Sequence, residues 1–328
     1  MPLDPQIQAM RDRRVQAGAP QLYTLSLAEA RAADLASIQA EAHDPEPVHA
    51  VSERVVAAEG RDIPVRVYRP NAEAVLPTLL YFFGGGWTLG SLDTCDGICR
   101  ALANLAGVQV VAVGYRLAPE HRFPAAVEDC HEVLRHIAAH PADFGTDAAA
   151  LAVGGDSAGG NLAAVAALLA RDAGLRLAGQ LLVYPNTDQL AADASMRDNV
   201  DPYLFNHRSV SWYRKHYLTS DEEATNPLAS PLLAPDLTAL PPALIITAEH
   251  DPLRDQGEAY ARRLAAAGNS VQLTRYEGMV HGFFTMTGAV DAARHAVAQA
   301  AEALRGWFAL EAVSSGAPGV SGAAVMRG

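Results

Sequence analysis

The run Gly155-Asp156-Ser157-Ala158-Gly159-Gly160 follows a short apolar stretch at 151–154 and opens an alanine-rich segment with helical character. A serine with glycine two places to either side, set between a strand and a helix, predicts a turn too sharp for flanking side chains. Such a turn lifts the hydroxyl out at the carboxyl edge of a sheet. It also points the N-terminal dipole of the next helix at the hydroxyl. A serine hydroxyl at its ordinary pKa is a poor nucleophile. Acyl transfer from Ser157 therefore requires an adjacent imidazole, itself oriented by a carboxylate.

After a turn of this kind the partners follow in the order acid, then histidine. The apolar run 244–248 ends in Glu249-His250-Asp251-Pro252, the end of a late strand releasing a carboxylate. Asp251 is the predicted acid, because the turn-favouring Pro252 follows it; Glu249 and Asp255 are rivals whose ordinary role is an ion pair. The predicted base is His281, bracketed by Gly278 and Gly282 on the loop after the next strand. His250 precedes that strand and falls on the wrong loop. The other nine of the 11 histidines have no comparable context.

A tetrahedral oxyanion needs preorganised donors. Gly84-Gly85-Gly86 directly follows a strand candidate at 78–83, and consecutive glycines let main-chain N–H groups approach a reacting carbonyl. Gly85, Gly86 and Ala158 are the predicted amide donors. The glycine run lacks the lysine and Ser/Thr of a phosphate loop, and the spacing of a dinucleotide fingerprint.

These residues need a scaffold that brings strand ends to one edge. Strand candidates at 64–68, 78–83, 108–114, 151–154, 180–184, 243–247 and 271–276 alternate with helix candidates at 95–105, 125–139, 158–170, 256–267 and 289–309. Alternating elements with strands apolar throughout predict an α/β fold, its mainly parallel sheet covered by helices on both faces. Residues 1–50 carry two helical patterns, the second opened by a capping box from Ser26 and Glu29. Leu3, Ile7 and Met10 give the first helix an apolar face, expected to pack on the protein itself. The catalytic region is expected over 51–312, interrupted at about 186–226 by a cap-like insertion, with a disordered tail from 313.

Composition excludes other classes. The formal net charge of −12 argues against a nucleic-acid partner. No run of about 18 apolar residues exists, so no membrane span is expected. Charged residues at 11–14 stand where a signal peptide would be apolar. Cys95, Cys99 and Cys130 make a poor metal site and are expected as buried free thiols, which points to a cytoplasmic protein.

Four stretches together resemble the hormone-sensitive-lipase family of bacterial carboxylesterases, within the α/β-hydrolase superfamily: 84–87, 115–120 with 123–125, 155–160, and 251–255 with 281–283. They occur in family order and span about 63 to 309. The resemblance implies an α/β-hydrolase fold with about eight strands and a helical cap from the N-terminal helices and the insertion. It also implies hydrolysis of short-to-medium acyl esters without a cofactor, and a bracing role for 115–120. Alternatives are amide, carbamate or lactone hydrolysis by the same triad, or a non-catalytic ligand-binding module. Trp87, Tyr203, Phe205, Trp212 and Phe283 are candidate pocket walls, and a late edge strand offers a surface for a homodimer. One residue departs from the family: Phe83 stands where a histidine usually precedes the three glycines. Phe83 is expected to pack apolarly while other contacts shape the loop.

Overall fold

The computed structural model describes residues 1–314. Eight strands, β1 (Ala50–Ala58), β2 (Arg61–Arg69), β3 (Leu76–Phe82), β4 (Gln109–Val113), β5 (Thr146–Asp156), β6 (Gly179–Val183), β7 (Ala243–His250) and β8 (Val271–Val280), form one sheet. Their order is β1-β2-β4-β3-β5-β6-β7-β8. β2 runs antiparallel to β1 and β4, and every pairing from β4 to β8 is parallel. The helices among the described residues are α1 (Pro5–Gln16), α2 (Leu27–Glu41), α3 (Asp96–Ala106), α4 (Ala125–Ala139), α5 (Pro141–Phe144), α6 (Ala158–Asp172), α7 (Ala194–Asp198), α8 (His207–Tyr217), α9 (Asp221–Ala224), α10 (Arg254–Ala266) and α11 (Asp291–Ser314).

The central strands are apolar on both faces because both are covered. Every residue of β4 and β6 is buried, α3 packs with α11, and α4 packs with α6. β1 has no counterpart among the strand candidates. It is an outer strand carrying Ser52, Glu53 and Arg54, with only Val56 buried, so it lacks the apolar run that marks the inner strands. β8 forms the opposite edge. The tail expected from 313 lies outside the described residues, except that 313 and 314 end α11.

Strand register sets the site. β3 and β5 align Phe82 with Gly155, so the glycine loop and the serine turn leave neighbouring strand ends. β7 and β8 align His250 with Val280, and the next residue of each strand is Asp251 or His281. A parallel sheet delivers all four segments to one edge.

The N-terminal helices sit over that edge. Ser26 and Glu29 form the expected capping box, with Ser26 N–H donating to Glu29 Oε2 at 3.0 Å. α1 is polar on average, and its stability comes from docking: Ile7 and Met10 are buried in the main core, each contributing roughly 2 kcal/mol. Arg11 donates to Asp201 at 2.6 Å, tying α1 to the 186–226 insertion. A second apolar cluster of Ala30, Leu89 and Tyr213, flanked by Leu22, Leu27, Phe205 and Trp212, joins α2 to α8.

The 115–120 run braces the edge from below. Tyr115 Oη donates to the Phe83 carbonyl at 2.7 Å. The buried carboxylate of Asp129 accepts from the Arg116 N–H at 2.9 Å and its guanidinium at 2.9 Å, and from Arg61 at 2.6 Å. Arg31 bonds Glu120 at 2.8 Å and the Thr88 carbonyl at 3.0 Å. Asp129→Ala strands two arginines and a backbone N–H. It should lower stability by about 2–3 kcal/mol, read from the urea midpoint.

Candidate active site

β5 ends in the turn at Ser157, whose backbone takes φ +55° and ψ −115°. That left-handed conformation is strained for a residue with a side chain. Neighbouring glycines make the turn possible. A Cβ on Gly155 or Gly159 would collide with the Phe82 carbonyl, and one on Gly84 would collide with the Asp156 carboxylate. The Ser157 N–H donates to the Val183 carbonyl at 2.8 Å, holding the turn against β6.

Three side chains meet above this turn. His281 Nε2 lies 2.8 Å from Ser157 Oγ, and His281 Nδ1 lies 2.7 Å from Asp251 Oδ2. A carboxylate only accepts, so Nδ1 carries the proton and Nε2 is left to accept from the serine. Asp251 is fully buried, and its other oxygen accepts from the Leu253 N–H at 2.8 Å. The imidazole is clamped by rings: Phe205 stacks on it at 4.1 Å and Tyr184 lies at 4.6 Å. The rival carboxylates are occupied elsewhere. Glu249 accepts from the Gly278 N–H at 2.7 Å, and Asp255 accepts from the Ser195 N–H at 2.8 Å.

Gly85 and Gly86 adopt φ +113° and +60°, and the Thr88 and Leu89 N–H groups both donate to the Gly85 carbonyl. Among the described residues no protein acceptor engages the N–H of Gly85, Gly86 or Ala158. Asp156 is the residue that sequence reasoning passed over here. Its Oδ1 accepts from Tyr81 Oη at 2.8 Å and from the Gly84 N–H at 3.1 Å, linking the serine turn to the glycine loop. Burial pushes its carboxyl above the usual range, opposed by these donors. Its signal in the sequence was the acidic residue directly before the serine, but its partners are about 72 and 75 residues away.

A cavity of about 360 Å³ opens over Ser157, lined by Tyr203, Phe205 and Trp212 among others. The other two expected wall residues do not line this cavity. Phe283 is completely buried and packs against Tyr184 and Tyr276, so it is a core residue. Trp87 is buried at φ +57° and stacks on Tyr217 at 4.1 Å; it borders only a narrow cleft with Ser157 and Ala158. All three cysteines are buried and unpaired.

Residues 79–285 match the model of a family described as having the alpha/beta hydrolase fold. Carboxylesterase NlhH of Mycobacterium tuberculosis is 44% identical over 261 residues, covering 78% of this chain and 82% of NlhH. The chain belongs to the hormone-sensitive-lipase-like family of α/β hydrolases. A second relative in the family, carboxylic ester hydrolase LipN of the same organism, is 44% identical over 243 residues. That match covers 72% of this chain and 65% of LipN, just under two thirds of its length. Among solved members, the hyperthermophilic esterase from the archaeon Pyrobaculum calidifontis superposes with a TM-score of 0.89 at 39% identity. The superposition covers 93% of this chain and 99% of that one.

Phe83, the departure from the family pattern, is buried and stacks on Tyr115 at 4.2 Å, while its carbonyl accepts a hydrogen bond from the Tyr115 hydroxyl. The loop is shaped by that bond, by Asp156 and by the turn at Gly85. A histidine at 83 adds a donor to a loop that already has its contacts. Phe83→His should therefore keep p-nitrophenyl butyrate turnover within about tenfold, about 1.4 kcal/mol in barrier; a far larger gain would show the natural loop to be poorly organised.

Proposed function

We propose that this chain is a serine carboxylesterase cleaving short-to-medium acyl esters through an acyl-enzyme. The observation that carries the reading is the unbroken hydrogen-bonded line from buried Asp251 through His281 to Ser157, at 2.7 and 2.8 Å. His281 takes the serine proton as Oγ attacks the ester carbonyl, forming a C–O bond and moving the carbonyl electrons onto oxygen. The Gly85, Gly86 and Ala158 amides receive that oxyanion. As it collapses, the bond to the alcohol breaks and the imidazolium supplies the proton the alcohol needs. Water, deprotonated by the same imidazole, then attacks the acyl carbon; the bond from that carbon to Ser157 Oγ breaks as the imidazolium returns its proton to Oγ, and the acid leaves. Asp251 keeps Nδ1 protonated and offsets the imidazolium charge.

Supporting the substrate class, the cavity of about 360 Å³ falls at the small end of ligand sites. The relatives are a carboxylesterase and a carboxylic ester hydrolase, in agreement with ester cleavage.

Ser157→Ala should reduce p-nitrophenyl butyrate turnover by at least about a thousandfold and abolish labelling by a fluorophosphonate probe. Near-normal turnover would defeat the assignment. The proposed base is His281, so His281→Ala should lower turnover about as far as Ser157→Ala does, and near-normal turnover would remove His281 from the role.

A further inference from the structure

One carboxylate in the cavity has no part in the reaction above. Asp34, on α2, lines the cavity with Tyr23, Phe205, Trp212 and Tyr213. It is partly exposed, yet its Oδ2 is shut off from solvent. Among the described residues neither oxygen has a hydrogen bond or ion pair. The cations on the neighbouring helical turns are spoken for. Arg14 is held by Glu41 and Ser37 at 3.0 Å each, and Arg31 by Glu120 at 2.8 Å.

A carboxylate with one oxygen shut off from solvent and unpaired is costly in its charged form unless a cation from outside meets it. Burial, with Asp156 adding to it, pushes the Asp34 carboxyl up to about 7, so the charged form is within easy reach of neutral pH. The rings around the cavity present electron-rich faces, which attract cations and give no such gain to a neutral alkyl group. A chain of net charge −12 also favours the approach of cations.

We propose that Asp34 and the aromatic rings beside it form a subsite for a cationic group, so that the preferred esters carry an ammonium group remote from the scissile carbonyl. The proposal rests on the esterase reading and names its substrate class. Asp34 acts here as a specificity residue: it meets the substrate's charge and takes no part in bond breaking.

Isosteric pairs test this in the full chain carrying Ser157→Ala, where binding is read by NMR titration without turnover. Butyrylcholine against 3,3-dimethylbutyl butyrate places the cation on the alcohol side. The p-nitrophenyl ester of 4-(trimethylammonio)butyrate against that of 5,5-dimethylhexanoate places it on the acyl side. At about pH 8.5 the cationic member of at least one pair should bind about tenfold tighter than its neutral twin. The margin depends on the carboxylate, which exists above a pKa of about 7, so it should shrink as pH falls to about 6.

Other ionisable groups face the same space. Tyr213 on α8 stays neutral, pushed well above its ordinary value by burial, and Asp156 ends β5. Glu41 is paired to Arg14, and the His281 imidazole is engaged between Asp251 and Ser157. Asp34→Asn separates these contributions: it should abolish the margin at pH 8.5. Asparagine keeps the shape and removes an unpaired charge, so this variant should melt no lower than its parent. The pH series needs no substitution at Asp34 and stands even if the variant fails to fold. Equal binding within both pairs, tighter binding of the neutral twins, or a margin that survives Asp34→Asn overturns the proposal. The esterase reading fails by a different result, the absence of p-nitrophenyl butyrate turnover by the native chain.

Discussion

An imidazole draws a proton from a serine effectively when a carboxylate holds its far nitrogen, and that requirement dictates where three loops must end. In this chain the demand is met by strand register. β7 and β8 are neighbours, paired so that His250 faces Val280, and the residues that follow are Asp251 and His281, the proposed acid and base. β5 lies two places away in the sheet and ends in the strained serine turn. The strain at Ser157 persists because its surroundings over-determine it: glycines where side chains would clash, a bond to Val183, and a helix starting at the next residue.

Asp156 extends the same logic to the glycine loop. One buried oxygen accepts from Tyr81 and from the Gly84 N–H, so the serine turn and the glycine loop are fastened to a common group. Tyr115 holds the other side of that loop through the Phe83 carbonyl. This explains how the loop dispenses with the histidine usual before the glycines. The contacts that shape it come from beneath, and Phe83 fills space against a ring.

The sequence made legible those features that are local. Glycine spacing around Ser157, the apolar runs of the inner strands and the Ser26–Glu29 cap are each written within a few residues. β1 was not legible, because an edge strand bearing Glu53 and Arg54 alternates weakly and is recognised only once β2 pairs with it. Side-chain destinations were equally hidden. Trp87 and Phe283 carry rings suited to a pocket wall, but Tyr217 claims the first and Tyr184 with Tyr276 the second. Asp34 sits in a helix of mixed composition, where an aspartate ordinarily faces water; only the placement of α2 over the cavity makes it unusual.

The apolar seam of Ala30, Leu89 and Tyr213 between α2 and α8 is separate from the main core. Tyr217 ties α8, and Ile7 with Met10 ties α1, to the main core, so α2, whose buried residue is Ala30, is the part of the roof held by the fewest apolar contacts. Warming or mild denaturant can slacken that roof while the strands beneath stay intact, because regions with few buried apolar contacts open at lower free energy than the whole. Loss of function on heating would then run ahead of unfolding, and the working temperature of the molecule would be set by its thinnest layer of packing.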